Sequence, residues 1–301
     1  MNKKYIYAAM ALVLSMTAAC SNDEDTTPSY VDTNGFMPSD DDQSEVAVIR
    51  RDFRDKTGCY LLFNDTLSKQ QKGIDANGNP YYDIKYVDVN YSMVSNSYDI
   101  NTYKYIADPT AMRKAAQAVE DKLVARLGSN LPFSFLLVDT IYNWKTDDYG
   151  NRKLSSKNPY LAFKLGSNCC AVSLNGGLAN DDDAYFKSMV CDIVYSKLSV
   201  SKDKEMTEFY APVNDYVLKY KDDLGYQRVF NDSIARTLGF YQDWNRYYFC
   251  TNKENDLKNY LTAVFTMTDE EFDEEFSKFP ICQARFQKLK EILKNMGVKI
   301  D

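Results

Sequence analysis

The side chains able to do chemistry in this 301-residue sequence are 43 Asp and Glu, 36 Lys and Arg and seven Cys; histidine is absent. A missing imidazole closes most hydrolase chemistry that runs near neutral pH. No Ser-His-Asp triad, Cys-His dyad or His-bound zinc can be assembled. A facing pair of carboxylates can still hydrolyse a glycoside, but spacing alone singles out no two of the 43 acids. Thiolates could hold a soft metal, and Cys169 and Cys170 precede Cys191. Successive strand residues face opposite ways, so only one of that pair could join Cys191, which leaves too few ligands for zinc. No CxxC occurs to support a redox or zinc-ribbon site. The six cysteines beyond Cys20 (Cys59, Cys169, Cys170, Cys191, Cys250, Cys282) are expected as buried free thiols, since a domain this large does not need disulfide staples. The run Tyr241-Gln242-Asp243-Trp244-Asn245-Arg246-Tyr247-Tyr248-Phe249 combines flat faces with hydrogen-bonding groups suited to sugars or peptides, and equally has the composition of a half-buried loop.

The elements that must position these groups fall into strands first and helices second, an α+β pattern. Cys59 to Phe63 is a short apolar run, a turn follows at 75–80, and Tyr81 to Tyr91 is rich in β-branched and aromatic residues, so a hairpin or meander is expected. Asp108 before Pro109 predicts a helix start, Met112, Ala116, Val119, Leu123 and Leu127 give its apolar stripe, and Gly128 ends it. Phe133 to Ile141, Tyr160 to Leu165 and Cys169 to Leu174 read as strands. Asn180 to Asp183 then introduce a helix reaching about Leu198, whose buried stripe is Phe186, Met189, Val190, Ile193 and Val194. Further helices are expected over Met206 to Leu218, Arg228 to Leu238 and Asp256 to Phe265. Thr268 with Glu271 forms a capping box, and Pro280 opens a last helix closed by Gly297.

The N-terminus predicts an address. Lys3 and Lys4 precede an apolar run from Tyr5 to Met16, and Thr17-Ala18-Ala19 supplies small residues before Cys20. This resembles a bacterial lipoprotein signal over 1–19, in which Cys20 is lipidated, with Thr17 standing where an aliphatic residue is usual; an ordinary secretion signal is the alternative. Residues 20–45 hold eight acids and no Lys or Arg, and are expected as a disordered tether. Ser21-Asn22-Asp23-Glu24-Asp25 is similar to the acidic signal that exports Bacteroidetes lipoproteins to the outer face of the outer membrane. The net charge of −7 resides in this segment, and without it and the signal the remainder is nearly neutral. Nothing basic enough for nucleic acid remains. Residues 46–301 show no linker or repeat and are expected to form one domain.

Three stretches, Cys170 to Gly177, Ile234 to Phe240 and Glu254 to Asp301, give the domain a pattern that resembles the zinc-binding metallopeptidase family of Bacteroidetes surface lipoproteins, of the HExxH type. The resemblance implies a zincin-like fold: an N-terminal mixed or antiparallel sheet with helices, and a C-terminal helical subdomain. It also implies four functional positions, two zinc ligands and a general base on one helix and a third ligand on a later one. They fall on Cys191, Asp192, Tyr195 and Asn259, and every one is changed. A plain core helix turn explains Cys191 to Tyr195 as well. The resemblance thus implies a degenerate metallopeptidase with no catalytic residue, metal or cofactor. Family members sit near glycan-uptake systems, which implies a binding or assembly protein of the outer membrane with a glycan, peptide or envelope-protein partner. An active zinc-dependent peptidase with an atypical site and a two-carboxylate glycoside hydrolase are the alternatives.

Overall fold

The computed structural model describes residues 35–300 apart from 88, 90–98, 148 and 179–181. The expected signal, Cys20 and the tether up to residue 34 lie outside the described residues.

Ser44 caps α1 (Glu45–Thr57) by accepting from the Ala47 N–H at 3.2 Å, and Ala47, Ile49 and Phe53 are its buried face. β1 (Tyr60–Leu62) follows, then a hairpin of β2 (Thr66–Ile74) and β3 (Pro80–Tyr86), then β4 (Asp99–Lys104). The Asp108 carboxylate accepts from the N–H groups of Thr110 and Ala111 to start α2 (Pro109–Ala118), which runs on through a wider π turn as far as Leu127. Gly128 ends it with φ +57°, where an added Cβ would meet the Gly297 carbonyl oxygen at 2.5 Å. β5 (Ser134–Val138), β6 (Thr140–Thr146), β7 (Arg152–Leu154), β8 (Tyr160–Leu161), β9 (Phe163–Leu165) and β10 (Cys169–Ser173) complete the strands. The C-terminal part is helical: α3 (Asp183–Leu198), α4 (Lys204–Tyr210), α5 (Asp232–Thr237), α6 (Lys253–Thr266), α7 (Asp269–Glu275) and α8 (Pro280–Asn295). The chain is mixed α+β, with several sheets and a helical C-terminal part.

The central sheet has the order β1-β5-β10-β9, with β1, β5 and β10 parallel and β9 antiparallel at the edge. Parallel strands are buried on both faces, which is why β5 and β10 read as continuous apolar runs. Alternation divides their side chains between two cores. Phe135, Leu137, Cys170 and Val172 join the main core with α1, α2, α3, α6 and α8, whereas Leu136, Val138, Cys169 and Ala171 join a smaller one with Val87, Val89 and Ile141. The antiparallel strands β4, β7 and β8 all pair with β6.

Several expectations are corrected. The compact unit begins at Gly35, not Val46. Arg50 donates to the carbonyls of Phe36 and Leu61, both at 2.8 Å, and Arg51 to those of Ser39 (2.9 Å) and Asp42 (2.8 Å), so residues 35–45 of the expected tether are strapped to α1. β1 pairs in parallel with β5 rather than within a meander, and only β2 and β3 form the hairpin. Phe133 to Ile141 breaks at Asp139 into two strands in different sheets. The helix expected over Met206 to Leu218 stops at Tyr210, because Pro212 cannot continue its ladder; a single 3₁₀ turn follows. The Arg228 to Leu238 expectation shrinks to α5, whose cap is Asn231.

Candidate functional site

α3 and α6 pack side by side and are each built by a side-chain cap. Asp182 accepts from the Ala184 N–H at 3.0 Å, and Asn252 from the Asn255 N–H at 2.8 Å. Phe186, Met189, Val190, Ile193 and Val194 take α3 into the main core, and Leu257, Leu261 and Val264 do the same for α6. What remains on each helix is a second stripe at helical spacing. Ala184, Lys187, Ser188, Cys191 and Asp192 from α3 face Lys258, Thr262, Phe265 and Thr266 from α6 across an open cleft of about 560 Å³, with Asp183 at its end. That volume suits a small ligand, since such pockets run from about 300 to 1,000 Å³.

The charges in the cleft are already partnered. Lys258 Nζ lies 3.0 Å from Asp192 Oδ1, bridging the two helices, and 5.6 Å from the centre of the Tyr195 ring. This bond to Asp192 holds the lysine above its usual pKa. Asp183 is tied to Arg126 and, at 3.3 Å, to Lys187. Burial pushes the Cys191 thiol up to about 11, even though Thr262 hydrogen-bonds to it, and burial together with the Glu254 carboxylate raises the Tyr195 phenol. Both are therefore protonated near neutral pH. Ala184 and the buried Phe265 make the apolar part of the lining, while Ser188, Thr262 and Thr266 supply hydroxyls.

Of the four positions named from the sequence, Cys191 and Asp192 line the cleft, whereas Tyr195 and Asn259 are not among the lining residues. Tyr195 packs against the main core, with Lys258 Nζ over its ring. Asn259 is half-buried, and its Nδ2 has no hydrogen-bond partner among the described residues. The donors do not fit a divalent cation: a protonated thiol, a protonated phenol, an amide presenting N–H, and a carboxylate already neutralised by an ammonium. No three Cys, Asp or Glu converge among the described residues. Cys170 lies in the main core with Cys191 and Cys169 in the smaller one, as strand alternation requires, and burial holds the Cys170 thiol well above its ordinary value.

Comparison with protein-family models, curated proteins and solved structures found no match. The chemistry of the site itself has to carry any assignment. Asp183 and Asp192 are the two carboxylates in the cleft, nine positions apart along α3 with a rise of roughly 13.5 Å between their backbones, and each is engaged in an ion pair. Of the Tyr241 to Phe249 run, Phe249 and the partly buried Trp244 belong to a third core, and Tyr241 packs against the main one. Phe249 and Phe240 pack with Val213, Ala235, Leu238 and Cys250, leaving Tyr247 exposed. Lys258, Thr262 and Ser188 complete the lining and are not among the positions expected from the sequence. Their signal is a polar stripe spaced by three and four residues along each helix.

Proposed function

We propose that this protein is a non-catalytic binding protein, with a degenerate metallopeptidase-like architecture, held at the outer membrane through lipidated Cys20. The α3–α6 cleft is its ligand site. The observation that supports this reading is the Lys258–Asp192 bridge: an ammonium ion engages the one carboxylate among the four positions that the resemblance would make functional. Activation of water for peptide hydrolysis needs a Lewis acid or a free base there; the protonated thiol and phenol suit no divalent cation, and the Asp192 carboxylate is engaged by Lys258. The cleft does offer paired charges of both signs, three hydroxyls and an apolar portion, a lining that suits a short peptide or glycan segment.

The test uses the full chain. Peptide and glycan arrays are probed with the wild type and with a Lys258→Ala, Thr262→Ala variant, and peptide turnover is followed with added zinc and with chelator. Capture that is lost in the variant, without turnover, is expected. Chelator-sensitive cleavage would refute the proposal, and so would array binding unchanged by the double substitution.

A further inference from the structure

Among the described residues two ion pairs have both side chains buried, Arg285–Asp256 and Lys221–Asp243. They differ in what they can become. A guanidinium stays protonated and is no nucleophile; an amine beside a carboxyl carries the two halves of an amide.

Lys221 and Asp243 lie in the irregular segment around the third core, and their side chains are 0% exposed. Lys221 Nζ donates to Asp243 Oδ2 at 2.5 Å and to the Val229 carbonyl at 2.9 Å. The rings of Phe249 and Phe230 stand 4.8 and 5.8 Å from it, the first buried and the second exposed. Asp243 is held as firmly. Its Oδ2 also accepts from the Asn231 N–H at 2.8 Å, and its own backbone N–H donates to Asp232 Oδ1 at 2.7 Å. The other carboxyl oxygen, Oδ1, is buried and has no partner among the described residues. One oxygen is thus polarised by two donors, and the other is free to leave.

We propose that Lys221 Nζ and the Asp243 carboxyl condense to an intramolecular amide, closing the chain covalently between residues 221 and 243. In a water-excluded site the neutral amine and carboxylic acid become accessible from the ion pair by one proton transfer along the existing contact. The nitrogen lone pair then attacks Cγ, the C–N bond forms and the Cγ–Oδ1 bond breaks. One ammonium proton, first passed to Oδ2 along the contact, transfers to Oδ1 in the tetrahedral adduct, as does a second that Nζ releases once it is bonded to Cγ beside both oxygens. Oδ1 departs as water and the third proton stays on the amide nitrogen. Oδ2 remains as the amide oxygen, held by the Asn231 N–H, which also stabilises negative charge on it during attack. No oxidant, reductant or second substrate is needed. The fixed approach of the two groups supplies the driving proximity, and the low local water content opposes hydrolysis. The product would restrict the unfolded chain as a disulfide does, without redox chemistry.

Peptide mass mapping of the purified full chain after trypsin tests this directly. An amide at Lys221 blocks cleavage there, while Lys219, Arg228, Arg236 and Arg246 remain cleavable. The expected product is a branched peptide joining residues 220–228 to 237–246, lighter by one water than the two parts together. Release of linear 222–228 and 237–246, each at full mass, would overturn the proposal. A water loss located at any other pair of peptides would overturn it equally. The wild-type chain answers the question, so the result does not depend on a variant folding.

Discussion

Replacing Asp256 by alanine should be among the most damaging single changes in the helical half. Arg285 is 2% exposed and Asp256 1%, with Arg285 Nη1 donating to Asp256 Oδ2 at 2.6 Å. Arg285 also donates to the carbonyls of Phe209 (3.0 Å) and Gly239 (2.7 Å) and lies 4.2 Å from the Phe209 ring, while Asp256 Oδ1 accepts from the Tyr241 N–H at 2.8 Å. One pair therefore joins α4, the end of α5, α6 and α8. Truncation leaves a buried guanidinium without its counter-charge, which costs about 3–5 kcal/mol, and strands the Tyr241 N–H for about 1 kcal/mol more. Against a total stability of about 5–15 kcal/mol, that is a large fraction. With a urea m-value of about 2–3 kcal/mol/M, the midpoint should fall by about 1.3–3 M. Asp256→Asn keeps an acceptor for Tyr241 and should fall between. Replacing both partners with apolar residues, Asp256→Leu with Arg285→Met, should recover much of the loss, because no charge is left buried. Equilibrium urea unfolding followed by far-UV circular dichroism measures all three. An Asp256→Ala midpoint equivalent to less than about 1 kcal/mol of destabilisation would show that the pair behaves as a surface contact and refute the reasoning.

Two further outcomes follow from the thiols and turns. With its thiol raised to about 11, Cys191 should alkylate slowly with iodoacetamide near neutral pH and faster only in strong alkali; rapid neutral labelling, read by peptide mass, would show that the cleft thiol is activated. Asp75 and Asp147 accept backbone N–H bonds, most strongly from Asn79 and Asn151, and both are held below the usual 3.8. A depressed folded pKa means that their contribution to the turns is complete above the ordinary carboxylate range and is lost as pH falls through the folded value. Carboxyl NMR titration should show both midpoints below 3.8, and an unshifted midpoint would contradict the turn geometry.

Local signals written in side chains survived into the structure. The Thr268–Glu271 capping box, the Asp108 cap before Pro109 and the apolar stripe of α3 all stand where the sequence places them. The failures have physical causes too. β2, TLSKQQKGI, is exposed along much of its length, so it lacks the apolar alternation that marks a strand. α1 carries Ala47, Ile49 and Phe53 on one face, but its start lies against an acidic run that reads as disordered. The α3–α6 cleft shows the same limit. Residues 191, 192, 195 and 259 could be named from pattern, yet the salt bridge that decides their chemistry depends on Lys258, which becomes visible only once two helices are laid against each other.

The order of the central sheet also bears on how the chain reaches its native state. Ser134–Val138 sits between Tyr60–Leu62, made long before it, and Cys169–Ser173, made after it. Its backbone can satisfy both edges only when distant parts of the sequence have met, and such non-local pairing is slow because loop closure must precede its reward. As the N-terminal third emerges from the ribosome, β2 and β3 can pair with each other, but β1 has no partner strand to dock on until β5 is made. The central sheet can therefore lock only after Cys169–Ser173 has been made, which puts its closure in the second half of synthesis.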